Sequence, residues 1–417
     1  MVQIINPSRD LTRNLRVMKL CLKWHNLSLL YIWSAVQEDL IKNMKIQKIQ
    51  AFPLAYPEPH YKGIERYITL ARVESDDGLV GWGECISQFR EATLATQIII
   101  DQGFAPMLTG EDALDVERHW HKMLDHIWWY GPEGIAAFAV SAVDMALWDL
   151  KGKALGLPVC QLLGGQVHDK IVAMASIIFD MEDLDWTLNE FRWLREQNYR
   201  VVKGGWGMRP EAVFGLDRQR DIEMIRRVRE VIGDDLELVI DTPGHRRIWD
   251  VPTAIQRFRD LEPYRLKWIE QPLPPQNFEA YAQLRAAIMT PIGTGEDEWD
   301  VESYKRLIQS GGVDIVQIDP GRCHGLTGSQ HVIKLVEAEN LLFSAHSWSS
   351  ALNTAASLHM LASSPHADCT DFKPHESPMQ HELVSDPWVQ EDGYVAIRDV
   401  PGLGVTVRED VVEKYLF

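Results

Sequence analysis

Five residues between Asp241 and His346 carry side chains that could act together on one small anion. Asp241, Glu270, Glu296 and Asp319 are carboxylates and His346 is an imidazole, and each closes a short apolar run: LELVIDT, RLKWIEQP, PIGTGEDE, VDIVQIDP and LLFSAHSW. Three carboxylates offer hard oxygen donors of the kind Mg²⁺ prefers. As acceptors they serve helix N-termini or arginines equally well. A carboxylate bonded to one ring nitrogen of a histidine fixes its tautomer and raises the basicity of the other nitrogen. That suits Asp319 and His346 to moving a proton near neutral pH. A histidine after an apolar strand also serves packing alone.

The intervals between these residues are 29, 26, 23 and 27. Each is about the length of one strand, one helix and two loops, so the runs read as the strands of successive βα units. Charge at every strand end points to a parallel α/β barrel with its site at the C-terminal mouth. A doubly wound sheet is the competing architecture, although it gathers ligands at its switch point instead of loading consecutive strand ends.

With the series Asp241, Glu270, Glu296 and the pair Asp319 and His346 at its spacing of 27, the chain resembles the enolase superfamily. Within it, the likeness is to the mandelate racemase/muconate lactonizing enzyme branch with acid-sugar dehydratases. It runs from Met44 to about Leu403. The resemblance implies a (β/α)7β TIM-like barrel under an α+β N-terminal capping domain, Mg²⁺ on Asp241, Glu270 and Glu296, and a homo-oligomer. It further implies removal of the α-proton of a sugar acid through an enediolate. Lys203, ending YRVVK, matches the first lysine of the family's lysine-x-lysine motif and is expected to face the substrate carboxylate.

The motif then departs from the family: Gly204 and Gly205 follow Lys203, so the second lysine, an α-proton base in racemases of the branch, is missing. Pro243 stands two residues past Asp241, where some dehydratases carry a histidine; His245 lies two further on. His346, paired with Asp319, is left as the base. Asp371, ending ADCTDFK, takes the place of a family glutamate that hydrogen-bonds the substrate carboxylate, one methylene shorter. Trp206, Arg322, His324, Trp348, Lys373 and His375 follow strand ends and are candidates for substrate contact or for packing. Trp129 and Tyr130, in HIWWYGPEG, read as interface packing or as a pocket wall, and His359, in ALNTAASLHMLA, as a core histidine.

The chain divides into an N-terminal extension (1–43), a capping domain (44–166) with a C-terminal tail (388–417) expected to pack back on it, and the barrel (167–387). Residues 1–43 are basic and aromatic but lack a clean small-residue cleavage site, and MKIQKIQAFPL at Met44 reads as a first strand and a natural start. Three strands of a meander and the buried helix AAFAVSAVDMALWDLKGKALGLP follow, and the resemblance implies that YPEPHYKGIERY and CISQFREA are loops over the barrel mouth. A net charge of −18 argues against nucleic acid, which requires a basic face. No apolar run reaches the roughly 18 residues of a membrane span. Five scattered cysteines fit neither a zinc knuckle nor a disulfide framework, and place the chain in a reducing cytoplasm.

The expected activity is dehydration of a small aldonate or aldarate to a 2-keto-3-deoxy acid. A racemase of this design needs a base on each face, and only His346 is plainly present. A cycloisomerase or epimerase of a related sugar acid or lactone is the second reading. A non-catalytic, metal-dependent sugar-acid binder is the third, and it would not need a proton-transfer pair.

Overall fold

The computed structural model describes residues 44–417, so the reading of residues 1–43 falls outside the described residues. The cap begins with the antiparallel meander β1 (Ile46–Glu58), β2 (Ile64–Ser75) and β3 (Val80–Cys85), in that order. Gly78, at φ +87°, makes the β2–β3 turn. The helix Ile135–Leu155 lies against β3 and stops at Gly156, whose left-handed backbone caps it. Two glycines of β3 set the spacing: a Cβ on Gly81 or Gly83 would stand 2.1 Å from the carbonyl of Ala146 or Ala142 in that helix. Small residues on both sides therefore let strand and helix meet backbone to backbone.

Eight parallel strands close the barrel: β4 (Lys170–Ile178), β5 (Val201–Gly205), β6 (Glu237–Asp241), β7 (Trp268–Glu270), β8 (Ile292–Thr294), β9 (Ile315–Ile318), β10 (Leu342–Ala345) and β11 (Ala367–Phe372). Each pairs with the next, and β11 pairs with β4, with Asp371 opposite Met174. Closure excludes the doubly wound sheet. One principal helix follows each of the first seven strands, from Leu184–Glu196 to Ala351–Ala362, which makes the (β/α)7β architecture.

The two-residue period of a strand decides what enters the barrel. Val201, Val239, Trp268, Ile315 and Cys369 pack together with Met174 as a dry plug in its interior. Lys203, Asp241, Glu270 and Asp371 stand two residues further along the same faces, so the alternation that buries the plug also turns these groups inward above it. Asp319 lies four residues after Ile315, on the same face. Several strand limits differ from expectation: β5 continues two residues past Lys203 and β11 one past Asp371, whereas β8 stops two residues before Glu296, and β9 and β10 one before Asp319 and His346.

The cap is fastened to the barrel by buried carboxylates at helix N-termini. Glu84 of β3 accepts hydrogen bonds from the backbone N–H groups of Ser350 and Asn353 at the start of Ala351–Ala362. Asp144 accepts from the N–H of Thr327 (2.9 Å) and its hydroxyl (2.6 Å) in the first turn of Gly325–Ala338. Such positions favour anions because the end of a helix presents unpaired N–H groups. The tail divides its contacts. β12 (Tyr394–Ala396) pairs antiparallel with β4 of the barrel, whereas Leu416 bridges to Leu54 of the cap. YPEPHYKGIERY forms the end of the β1–β2 hairpin, with a 3-10 turn at Pro59–Tyr61, rather than a loop. None of the described helices is long and apolar enough to cross a membrane, and the four described cysteines are buried and unpaired.

Candidate active site

A cleft of about 120 Å³ opens above the inward-facing carboxylates. The barrel lines it with Ser176, Lys203, Trp206, Asp241, Glu296, His346, Trp348 and Asp371, and the cap contributes Arg66, Ile86 and Gln88.

Lys203 is buried in the floor among carboxylates. Its Nζ lies 2.6 Å from Glu270 Oε1, 2.9 Å from Asp371 Oδ1 and 3.9 Å from Asp241 Oδ2. Burial works against its charge, but Asp371 and Glu270 outweigh that and hold its pKa well above the ordinary lysine range. Asp371 thus spends both oxygens on Lys203, and the ammonium sits between the acids rather than free in the cleft. Negative charge remains in excess. Burial and then the neighbouring Glu270 push Asp241 far above the usual carboxylate range, and burial carries Glu296 up to about 8. Glu296 Oε2 is shielded from solvent without a hydrogen-bond partner. Glu270 Oε2 has only a 3.4 Å contact from Trp268 Nε1, and Asp241 Oδ1 accepts from Trp206 Nε1 at 3.0 Å. Buried carboxylates short of positive charge are hard donors of the type that a divalent cation with oxygen preference takes.

Beside them, His346 Nδ1 lies 2.6 Å from Asp319 Oδ2. The other oxygen of Asp319 accepts from the N–H of Gly321 at 2.7 Å and from Asn353 Nδ2 at 3.0 Å, so the carboxylate cannot swing away. His346 Nε2 is left facing Glu296 Oε2 at 3.7 Å. Burial lowers the pKa of His346, but Glu296 and Asp319 together lift it to about 10. Neutralising Glu296 would remove the largest of the attractions that hold this proton.

The position of the missing second lysine is closed by backbone. A Cβ on Gly205 would stand 1.9 Å from the carbonyl oxygen of Asp241, and one on Gly204 would stand 2.2 Å from the Phe179 ring. Trp206 follows with φ +52° and lays its indole on His245, ring centres 4.7 Å apart. Trp206 lines the cleft and His245 does not.

Arg322, His324, Trp129 and Tyr130 are not brought to the cleft. The Arg322 guanidinium lies 3.6 Å over the Trp299 ring and pairs with Asp297, which satisfies its charge away from the mouth. His324 Nε2 bonds the carbonyl of Pro132 at 2.7 Å. Trp129 and Tyr130 are 80% and 55% exposed, on the outside of the cap. Lys373 pairs with Glu58, and His375 with Glu190, both beside the cleft mouth. His359 is fully buried, its Nδ1 accepting from the N–H of Cys160. Trp348 does line the cleft, with the Arg66 guanidinium 4.3 Å above its ring. Arg66 and Gln88 lie in the two cap segments expected over the mouth, YPEPHYKGIERY and CISQFREA, although no motif singles out either residue, and Ser176 escaped the sequence reading. Docking of the cap turns Arg66 of β2 over the barrel.

Residues 187–411 match the family described as "Enolase C-terminal domain-like", and residues 62–164 match "Mandelate racemase / muconate lactonizing enzyme, N-terminal domain". Among curated relatives, D-galactarolactone cycloisomerase of Agrobacterium fabrum is 28% identical over 354 residues, covering 83% of this chain and 90% of that protein. D-galactonate dehydratase of Pectobacterium atrosepticum is 28% identical over 377 residues, covering 88% and 94%. Among solved structures, the 3,6-anhydro-D-galactonate cycloisomerase from Zobellia galactanivorans superposes with a TM-score of 0.81 at 28% identity, covering 89% of this chain and 99% of that one. A racemase from Streptomyces coelicolor A3(2) with bound magnesium gives 0.79 at 25% identity, covering 89% and 100%.

Proposed function

Because this chain belongs to the mandelate racemase/muconate lactonizing enzyme branch of the enolase superfamily, we propose that it is a Mg²⁺-dependent acid-sugar dehydratase, acting on an aldonate or aldarate. Asp241, Glu270 and Glu296 would hold the metal: their oxygens are hard, buried and short of positive charge. When bound, Mg²⁺ supplies positive charge beside the substrate carboxylate, which stabilises the negative charge that develops as the α-proton leaves. Lys203, fixed by Glu270 and Asp371, adds a second positive charge at the cleft floor.

In this reading His346 Nε2 takes the α-proton while Asp319 holds Nδ1–H and supports the imidazolium. The electron pair left at the α-carbon forms the α,β double bond as the β-hydroxyl departs. The imidazolium returns its proton to that hydroxyl, so water leaves, and the enol product tautomerises to the 2-keto-3-deoxy acid. Trp206 and Trp348 wall the cleft, and Arg66 and Gln88 from the cap offer polar contacts to the remaining substrate hydroxyls or a second carboxylate.

The observation that carries this reading is the His346–Asp319 pair, whose imidazole is the one histidine among the described residues lining the cleft, set beside a β5 position where backbone leaves no room for a second base. Incubating the protein with a library of acid sugars, with and without Mg²⁺, tests it: a 2-keto-3-deoxy product that requires Mg²⁺ is expected. An isomerised lactone with no loss of water would instead favour a cycloisomerase. That second reading draws support from the two cycloisomerases among the relatives and from the fact that opening a lactone also needs one base.

A further inference from the structure

A second group of metal-type donors lies outside the cleft, where the β1–β2 hairpin of the cap meets the barrel. His60 comes from the 3-10 turn Pro59–Tyr61, Glu190 from the helix Leu184–Glu196, and His375 from the segment after β11. Glu190 Oε2 lies 3.0 Å from His60 Nε2 and 2.6 Å from His375 Nε2, and one donor atom from each residue falls within 4.8 Å of the others. All three atoms are shielded from solvent, yet none has a partner in hydrogen-bond geometry. Both ring nitrogens stand within ion-pair distance of the one carboxylate oxygen, so the three donors converge on one point.

We propose that His60, Glu190 and His375 form a binding site for one transition-metal cation of the Zn²⁺ type, separate from the carboxylate cluster of the barrel. Two imidazoles and one carboxylate are the donor set that Zn²⁺, Co²⁺ or Ni²⁺ takes and Mg²⁺ does not favour. With metal–ligand bonds of about 2.0–2.2 Å, donors around one such ion stand roughly 3–3.5 Å apart, close to the spacings here. The His60 and His375 rings are stacked with centres 3.4 Å apart, Trp193 stacks on His375 at 4.6 Å, and Trp186 lies 5.5 Å from His60. An imidazole holds a metal in its own plane, so one ring turns out of this stack when the ion binds. Three elements supply the donors, so the ion would tie the cap hairpin to the barrel. The same seam holds the Lys373–Glu58 pair and the contact of Tyr61 with Trp348, a wall of the cleft. The ion would stay outside the reaction and set how firmly the cap sits over the mouth.

The test uses the full chain saturated with Mg²⁺ and titrated with Co²⁺, followed by visible absorption. The expected result is a saturable band at one Co²⁺ per chain that persists in Glu270→Gln, whose substitution lies in the carboxylate cluster. His60→Ala, His375→Ala and Glu190→Gln should each weaken Co²⁺ binding by at least roughly tenfold, with circular dichroism reporting that the variants are folded. Zn²⁺ should raise the melting temperature of the unsubstituted protein and leave that of His375→Ala unchanged. Absence of the band, its loss in Glu270→Gln alone, or undiminished binding in the three cluster variants would overturn the proposal and leave a simple ion pair at the seam.

Discussion

Asp319 Oδ2 lies 2.6 Å from His346 Nδ1, and its other oxygen is held by the N–H of Gly321 and by Asn353. The imidazole can therefore turn only one nitrogen toward the cleft. His346→Asn should lose turnover by about 10² to 10⁴-fold or more, the usual contribution of a general base. It should also stop exchange of the substrate α-hydrogen in D₂O, read by NMR. Unsubstituted protein in D₂O should give no α-epimer, because one base returns its proton to the face it came from. Near-normal turnover of His346→Asn would require another base.

Lys203 is in direct contact with both Glu270 and Asp371 at the cleft floor. Lys203→Met should lose about 3 kcal/mol or more of stability in Mg²⁺-free buffer, since removing one partner leaves buried charge unpaired. Added Mg²⁺ should recover part of that loss. Denaturant melts with and without Mg²⁺ measure both, and equal losses in the two buffers would separate the lysine from the carboxylate cluster.

Glu270→Gln keeps the shape of the side chain but removes one anionic donor. Calorimetry should find Mg²⁺ affinity and turnover lost together. The metal-free melt should change far less than that of Lys203→Met, because Asp371 still faces the ammonium. A folded variant with unchanged Mg²⁺ affinity would place the metal elsewhere.

Gly205 is where a racemase of this branch would carry its second lysine. A Cβ there meets the Asp241 carbonyl at 1.9 Å, so Gly205→Ala should destabilise by about 2 kcal/mol or more, and Gly205→Lys should not create epimerase activity. Melting and an α-epimerisation assay test the two statements.

His359 is buried neutral, and burial pulls its pKa down to about 4. The unfolded chain, titrating near 6.5, binds this proton first as pH falls. The stability contributed by the neutral ring is therefore complete above about pH 6.5 and is lost progressively toward pH 4, by about 3 kcal/mol in all. His359→Gln should show a shallower loss over that window, in denaturant melts compared at each pH.

Much of the barrel and its site was determined by the sequence alone. Each βα unit writes itself locally as an apolar run closed by a polar residue, and the strand's period of two then aims Asp241, Glu270, Asp319 and Asp371 along the faces that carry Val239, Trp268, Ile315 and Cys369. The tertiary structure decided what depends on groups far apart in the chain. Lys203 meets Asp371 across 168 residues, so its pairing with the acids was not written near either residue. Arg322 carried the same local signal as Trp348, but Asp297 and Trp299 drew it off the cleft, because a cation goes to whichever anion and ring the packing brings close. Arg66 and the meeting of His60, Glu190 and His375 arise only when the cap docks: a hairpin turn, a barrel helix and the segment after the last strand have no shared sequence pattern, only a shared place.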